Sequence, residues 1–140
     1  METLKYGKMK VILFFIYNEM EKKYDISKEC IKLSMMIIKL YKFINERNEF
    51  VLSKQILRSW TSIGANVMEA QDAQSKKDFL SKMNIALKES KETQYRLLLI
   101  NESWYLEKFD EYKILNNKLN EIVWVLTKIV ITTKNNLWIN

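Results

Sequence analysis

The absence of proline is the feature that most constrains how this chain can fold. Its 140 residues include no proline and only two glycines, Gly7 and Gly64. Architectures built from strands need these residues at their turns, so their scarcity predicts a few long helices joined by short connections. The length fits one domain with its own apolar core. The one cysteine, Cys30, cannot form a disulfide within the chain.

Four segments repeat apolar residues at steps of three and four, the spacing of a helix face that turns toward a core. These stripes lie within residues 26–44, 52–70, 79–104 and 112–129. Because the connections between them are short, sequential helices are expected to be antiparallel. The predicted fold class is therefore all-α, an antiparallel up-down-up-down four-helix bundle formed by residues 24–134.

The third stripe carries small side chains in its middle, Ala86, Ser90 and Thr93, where a core would favour leucine. Small residues let a neighbouring helix approach closely, so we expect the second and third helices to pack tightly at this level. Ser75 is the expected N-cap of the third helix. Asp78, three residues later, completes a capping pair with it and complements the helix dipole.

Gly64 lies inside the second helical pattern, where a glycine costs about 1 kcal/mol relative to alanine. We expect either a bend of the helix or a close crossing of another backbone at this point, since both would require a missing side chain. Asn66 and Glu69 share a face just beyond the glycine. Their side chains are expected to hydrogen-bond to freed backbone groups or across to the third helix.

Three motifs stand close together in this part of the chain: SIGAN at 62–66 with Glu69 three residues later, SKKDF at 75–79, and NIAL at 84–87. Together they closely resemble the bacterial family called four-helix bundle protein, also known as the S23 or 23S rRNA intervening-sequence protein family. The likeness is strongest over residues 53–100 and weaker over the rest of 24–133. Trp60 and Ala70 depart from it, since the family commonly has a small residue and a glycine at these positions. We expect the tryptophan to change a packing surface.

The resemblance implies a four-helix bundle that assembles as a ring-shaped homo-oligomer, a pentamer in typical members. Members are encoded within rRNA intervening sequences, and many carry proline at the position of Gly64, which fits a bend there. A distant relative is the accessory variability protein of diversity-generating retroelements, which binds a reverse transcriptase and nucleic acid. Most members have no established activity.

Residues 1–23 form an N-terminal extension that has no counterpart in the family. A run of seven apolar residues at 11–17 follows several lysines, and it is too short for a bilayer, which needs about 20 residues. Three interpretations stay open: an arm that packs on the domain or a partner, a start codon assigned upstream of Met20, and a membrane or export element. At the other end, residues 135–140 are expected to form a C-terminal tail that carries Trp138.

The commonest general acid and base of catalytic sites, histidine, is missing from the chain. Its absence excludes histidine-based triads and histidine-ligated zinc. Cys30 lies on an apolar stripe and is expected to be a buried thiol. Glu69 could approach Glu92 across the bundle and share a cation, although pairing with neighbouring lysine and arginine explains these carboxylates more simply. We predict no enzyme activity, no catalytic residue, no metal site and no cofactor.

The basic side chains are the better functional candidates. The net charge is +6, from 23 lysine and arginine residues against 17 acidic ones. Charge of this sign serves either an anionic partner or solubility alone. The candidate nucleic-acid-binding residues are Lys54, Arg58, Lys76, Lys77 and Lys82. In a ring each would repeat around the axis, and contacts to phosphate need no recognition of bases.

Aromatic side chains could also stack on bases, but most of them lie on or near core stripes, which favours packing. These are Trp60, Tyr95, Trp104, Tyr105, Trp124 and the exception Trp138, which lies beyond the last stripe. The leading hypothesis is a non-enzymatic, cytoplasmic, oligomeric module that engages RNA, DNA or a nucleoprotein partner, such as a reverse transcriptase or rRNA, through basic surfaces. The alternative is a protein-binding scaffold with no nucleic-acid role. Neither hypothesis involves a membrane.

Overall fold

The computed structural model describes residues 24–138, which contain four helices and no strand. The helices are α1 (Ile26–Asn45), α2 (Val51–Gln71), α3 (Lys76–Glu102) and α4 (Tyr112–Trp138). The all-α prediction is confirmed. The N-terminal extension and its apolar run lie outside the described residues. Helix α4 continues through residues 135–138, so this part of the segment predicted as a tail is helical.

The four helices form a closed cycle. Each helix packs on its neighbours in sequence, α4 packs back on α1, and within residues 24–138 no Cα atoms of the diagonal pairs α1–α3 and α2–α4 come within 8 Å of each other. The connections are short, at residues 46–50, 72–75 and 103–111. This is the up-down-up-down topology predicted from the spacing of the stripes.

The centre of the bundle is filled by the predicted stripes. Leu33, Ile63, Leu97 and Leu126, one from each helix, are wholly buried. One prediction at the end of the third stripe is wrong: Trp104 is 80% exposed. The reason is that α3 ends at Glu102, and the turn that follows takes Trp104 into the left-handed region at φ 65°. This turn rotates the side chain away from the core.

Helices α2 and α3 share the most extensive contact of the bundle, as the small residues predict. Ala86 and Ser90 are fully buried on the shared face. The hydroxyl oxygens of Ser59 and Thr93 lie 2.9 Å apart across it, within hydrogen-bond distance and away from water. Small side chains therefore bring the helices together, and the two hydroxyl groups link them inside the core.

The helix starts are satisfied by side chains. The Ser75 hydroxyl accepts a hydrogen bond from the Asp78 amide at 3.0 Å, and the Asp78 carboxylate accepts one from the Gln74 amide at 3.2 Å. Helix α2 begins differently, because the Glu49 carboxylate accepts from all three amides at residues 51–53, at 2.8–3.1 Å. Free amides at a helix start need such acceptors. A buried glutamate in this role has no simple sequence signal.

Candidate nucleic-acid interface

Lys54 and Arg58 lie one turn apart on the outer face of α2, and both are exposed. Neither forms an ion pair with any residue of 24–138. They are also the only charged residues of α2 before Glu69. The first two thirds of this helix therefore present positive charge alone to solvent.

Lys76 and Lys77 are the first two residues of α3, and both are exposed. They lie at the opposite end of the α2–α3 hairpin, since the helix between Arg58 and Gln71 spans about 20 Å at 1.5 Å per residue. The structure thus divides the candidate cations into two groups that cannot form one continuous patch on a single chain.

Lys82 differs from the other candidates because its charge is compensated. Its ammonium lies 2.8 Å from the carboxylate of Glu69, which joins α3 to α2. The hydrogen bond that Lys82 donates to this carboxylate, and then the negative charge of Glu69, raise the pKa of Lys82 above its ordinary value. Such a lysine remains charged but contributes little net positive potential.

Glu69 does not approach Glu92, and the simpler alternative, pairing of these carboxylates with lysine and arginine, is observed. Glu69 pairs with Lys82, and Glu92 lies about 15 Å farther along α3 at 1.5 Å per residue. Glu92 has its own partner, since the Arg96 guanidinium lies 3.3 Å from its carboxylate. Within residues 24–138, no group of three or more potential metal-ligating carboxylates or thiols is arranged to hold an ion.

Gly64 lies inside helix α2, which is continuous from Val51 to Gln71, and of the two alternatives expected there, a bend or a close crossing, no close crossing is found among residues 24–138. A β-carbon at this position would meet no atom of the described part of the chain within 4 Å. The Asn66 side-chain amide donates to the carbonyl oxygen of Ser62 at 2.8 Å, one turn back on the same helix. Asn66 thus bonds to a carbonyl of its own continuous helix rather than to a freed backbone group, whereas Glu69 reaches across to the next helix as foreseen.

Trp60 is wholly buried and carries a short relay of hydrogen bonds between α2 and α1. Its indole N–H donates to the Ser34 hydroxyl oxygen at 2.6 Å, and that hydroxyl donates to the carbonyl oxygen of Cys30 at 2.7 Å. Cys30 is buried as expected, and this burial raises the pKa of its thiol to about 12. The tryptophan therefore changes the interior of the bundle rather than its surface.

Three other aromatic side chains are exposed, contrary to the packing interpretation: Tyr95 by 62%, Trp104 by 80% and Trp124 by 49%. The Lys128 ammonium lies 5.6 Å from the centre of the Trp124 ring. Tyr95 lies between the buried positions 93 and 97, on the opposite side of the helix, so the helical period itself predicts its exposure. The Trp138 side chain lies outside the described part.

This arrangement defines a class of protein, an antiparallel four-helix bundle whose candidate binding groups lie on the outer faces of its helices. The chain belongs to the 23S rRNA-intervening sequence protein family, whose model matches residues 22–128. Kinship with the retroelement accessory protein stays a prediction. Within residues 24–138, no helix combines the length and hydrophobicity that crossing a membrane requires.

A solved structure supports the family assignment. The chain is similar to a crystal structure from Bacteroides thetaiotaomicron, described as a protein with unknown function from the S23 ribosomal protein family. The two share 47% sequence identity with a TM-score of 0.71, over 76% of this chain and 98% of the other. No curated protein matches the chain.

Proposed function

We propose that this protein is a non-enzymatic, cytoplasmic binding module that assembles from several copies and engages RNA or an RNA-containing complex through its basic surfaces. The observation that carries the proposal is the outer face of α2, where Lys54 and Arg58 are exposed and unpaired within the described chain. The name of the family, which refers to an intervening sequence of 23S rRNA, supports RNA as the anionic partner.

The separation of the cationic groups makes assembly part of the proposal. Two cations on one chain neutralise few phosphates, whereas several copies in a ring, with five expected, would repeat them along one rim. Helix α1 offers a surface for such assembly. Ile31, Met35 and Ile38 follow one another at helical spacing on its outer face and are 59%, 60% and 39% exposed. Contiguous apolar side chains on an outer face are typical of contacts with other proteins.

Native mass spectrometry tests the assembly. We expect a closed homo-oligomer for the unaltered chain and smaller species for Met35→Lys, because the substitution places a charge in the proposed contact. Met68→Lys is the matched control, since Met68 is a similarly exposed methionine on α2. A monomeric unaltered chain would contradict the proposal, as would dissociation caused by the control alone.

RNA binding is tested with a pair of charge variants. Lys54→Gln with Arg58→Gln removes two unpaired cations, while Lys28→Gln with Lys39→Gln removes two that pair with Asp25 and Glu111. Both variants lower the net charge equally. We expect only the first to weaken binding to an RNA hairpin strongly and to reduce its dependence on salt, because each lost phosphate contact lowers the salt slope by about 0.7 to 0.9. Equal losses would indicate a general charge effect and refute the assignment to α2.

A protein-binding scaffold is the second candidate, and Trp104 favours it. This tryptophan is 80% exposed at the turn between α3 and α4, and exposed tryptophans are frequent anchors of protein interfaces. We expect Trp104→Ala to abolish capture of a protein partner from the native host, with capture by the unaltered chain persisting after nuclease treatment. Loss of the partner on nuclease treatment would instead support RNA binding.

A further inference from the structure

An apolar groove opens at the end of the bundle where α1 begins and α4 ends. Its volume is about 410 Å³, and all four helices or their immediate flanks contribute to its walls. The lining is mainly apolar and includes Ile26, Phe79, Met83, Val125 and Ile129. Phe79 and Ile129 are only partly buried, although they lie on the core stripes predicted from the sequence. The core is therefore incompletely covered at this end.

Tyr24 forms part of the same wall and directly precedes α1. Its hydroxyl oxygen is buried, and it has no hydrogen-bond partner among residues 24–138. Burial, followed by the charges of Glu121 and Glu29, raises the pKa of this hydroxyl, so it stays protonated and able to donate. A buried donor without an acceptor is unfavourable. An acceptor supplied from outside residues 24–138 would remove this penalty.

The chain carries its own candidate for the groove. The apolar run VILFFIY at 11–17 precedes Tyr24 by a polar spacer of six residues, NEMEKK at 18–23. An extended spacer of this length reaches about 20 Å. Because Tyr24 lies in the wall of the groove, the spacer 18–23 attaches the apolar run covalently to the edge of this groove. Seven consecutive large apolar side chains strongly favour burial over exposure to water.

We propose that the apolar run 11–17 docks in this groove of the same chain and covers the open end of the core. The tether holds the run at an effective concentration on the order of millimolar, an advantage that a second copy or a separate partner does not have. Peptide carbonyl groups of the docked segment provide acceptors for the hydroxyl of Tyr24. The N-terminal extension is then a structural part of the domain.

Disulfide trapping in the full-length chain tests this proposal. A cysteine is placed after the run by Asn18→Cys and combined with Thr132→Cys, an exposed position on the wall of the groove. The matched control combines Asn18→Cys with Lys28→Cys, which is exposed, does not line the groove and lies one turn from the tether. The native thiol of Cys30 does not compete at mildly alkaline pH, because burial raises its pKa to about 12.

We expect the disulfide within one chain to form about tenfold or more faster at Thr132 than at Lys28. Phe14→Ser with Phe15→Ser should reduce the rate at Thr132 to that of the control, while Tyr6→Ser, an aromatic residue outside the run, should leave it unchanged. Circular dichroism of each variant checks that the helices are intact. Equal trapping at both positions, trapping only between chains, or indifference to the phenylalanines would overturn the proposal.

Discussion

Replacing Gly64 with alanine should stabilise the protein. The added β-carbon would meet no atom of the described residues 24–138 within 4 Å, and the backbone of the glycine is not in the left-handed region. Neither overpacking nor strain therefore opposes the substitution. What remains is the difference in helix propensity, which favours alanine by about 0.8–1 kcal/mol in a helix interior. For a domain of this size, that gain raises the melting temperature by about 3–5 °C.

Urea unfolding followed by far-UV circular dichroism measures the effect. Ala65→Gly is the matched control, because Ala65 is the exposed neighbour of Gly64 in the same helix and should lose a similar amount of stability. A lower midpoint for Gly64→Ala would refute the reasoning. A midpoint for Gly64→Ala equal to that of the unaltered chain, together with loss of the oligomer in native mass spectrometry, would also refute the reasoning. That result would show that another copy packs on the open face of Gly64.

Three further predictions concern stability. Ser34→Ala leaves the buried indole N–H of Trp60 without its acceptor and should lower the free energy of unfolding by about 1–3 kcal/mol; Ser34→Thr, which keeps the hydroxyl, should cost less in the same urea titration. Leu97→Ala removes a wholly buried side chain and should cost about 2–5 kcal/mol; a loss below 1 kcal/mol would contradict the packing of α3. The hydrogen bond from Lys32 is the largest cause that lowers the pKa of Glu29 below its ordinary 4.5, and Lys118 lowers it further. The ionised carboxylate therefore stabilises the fold above pH 4.5, and this contribution is lost as the pH falls through the lower folded value. The stability difference between the unaltered chain and Glu29→Gln should accordingly shrink below pH 4.5, and a difference that grows there would contradict this assignment.

The sequence predicts the helices and the core well because both depend on local periodicity. Leu33 and Leu97 lie on regular stripes, and their burial follows from a spacing of three and four. Helix ends are harder to predict. Trp104 continues the apolar pattern of α3, but the helix ends two residues earlier, at Glu102. The spacing of apolar side chains cannot show where the backbone turns out of the helix.

The candidate interface is only partly predictable, because it depends on which helices lie side by side. Sequence spacing pairs Lys54 with Arg58, since both belong to one helix. It cannot show that the charge of Lys82 is compensated by Glu69, thirteen positions earlier on the neighbouring helix. The same holds for Gly64. The sequence shows a glycine inside a helix, but it does not show whether a second backbone passes close to that glycine.

Equilibrium binding of an RNA hairpin across a series of KCl concentrations tests the central claim most directly. We expect tight binding at low salt and an affinity that falls linearly with KCl concentration on logarithmic axes. The magnitude of the slope should exceed the value of about 1.4 to 1.8 for two cations, because an assembly repeats Lys54 and Arg58. Absence of binding even at the lowest salt, or an affinity that does not respond to KCl, would contradict the central claim.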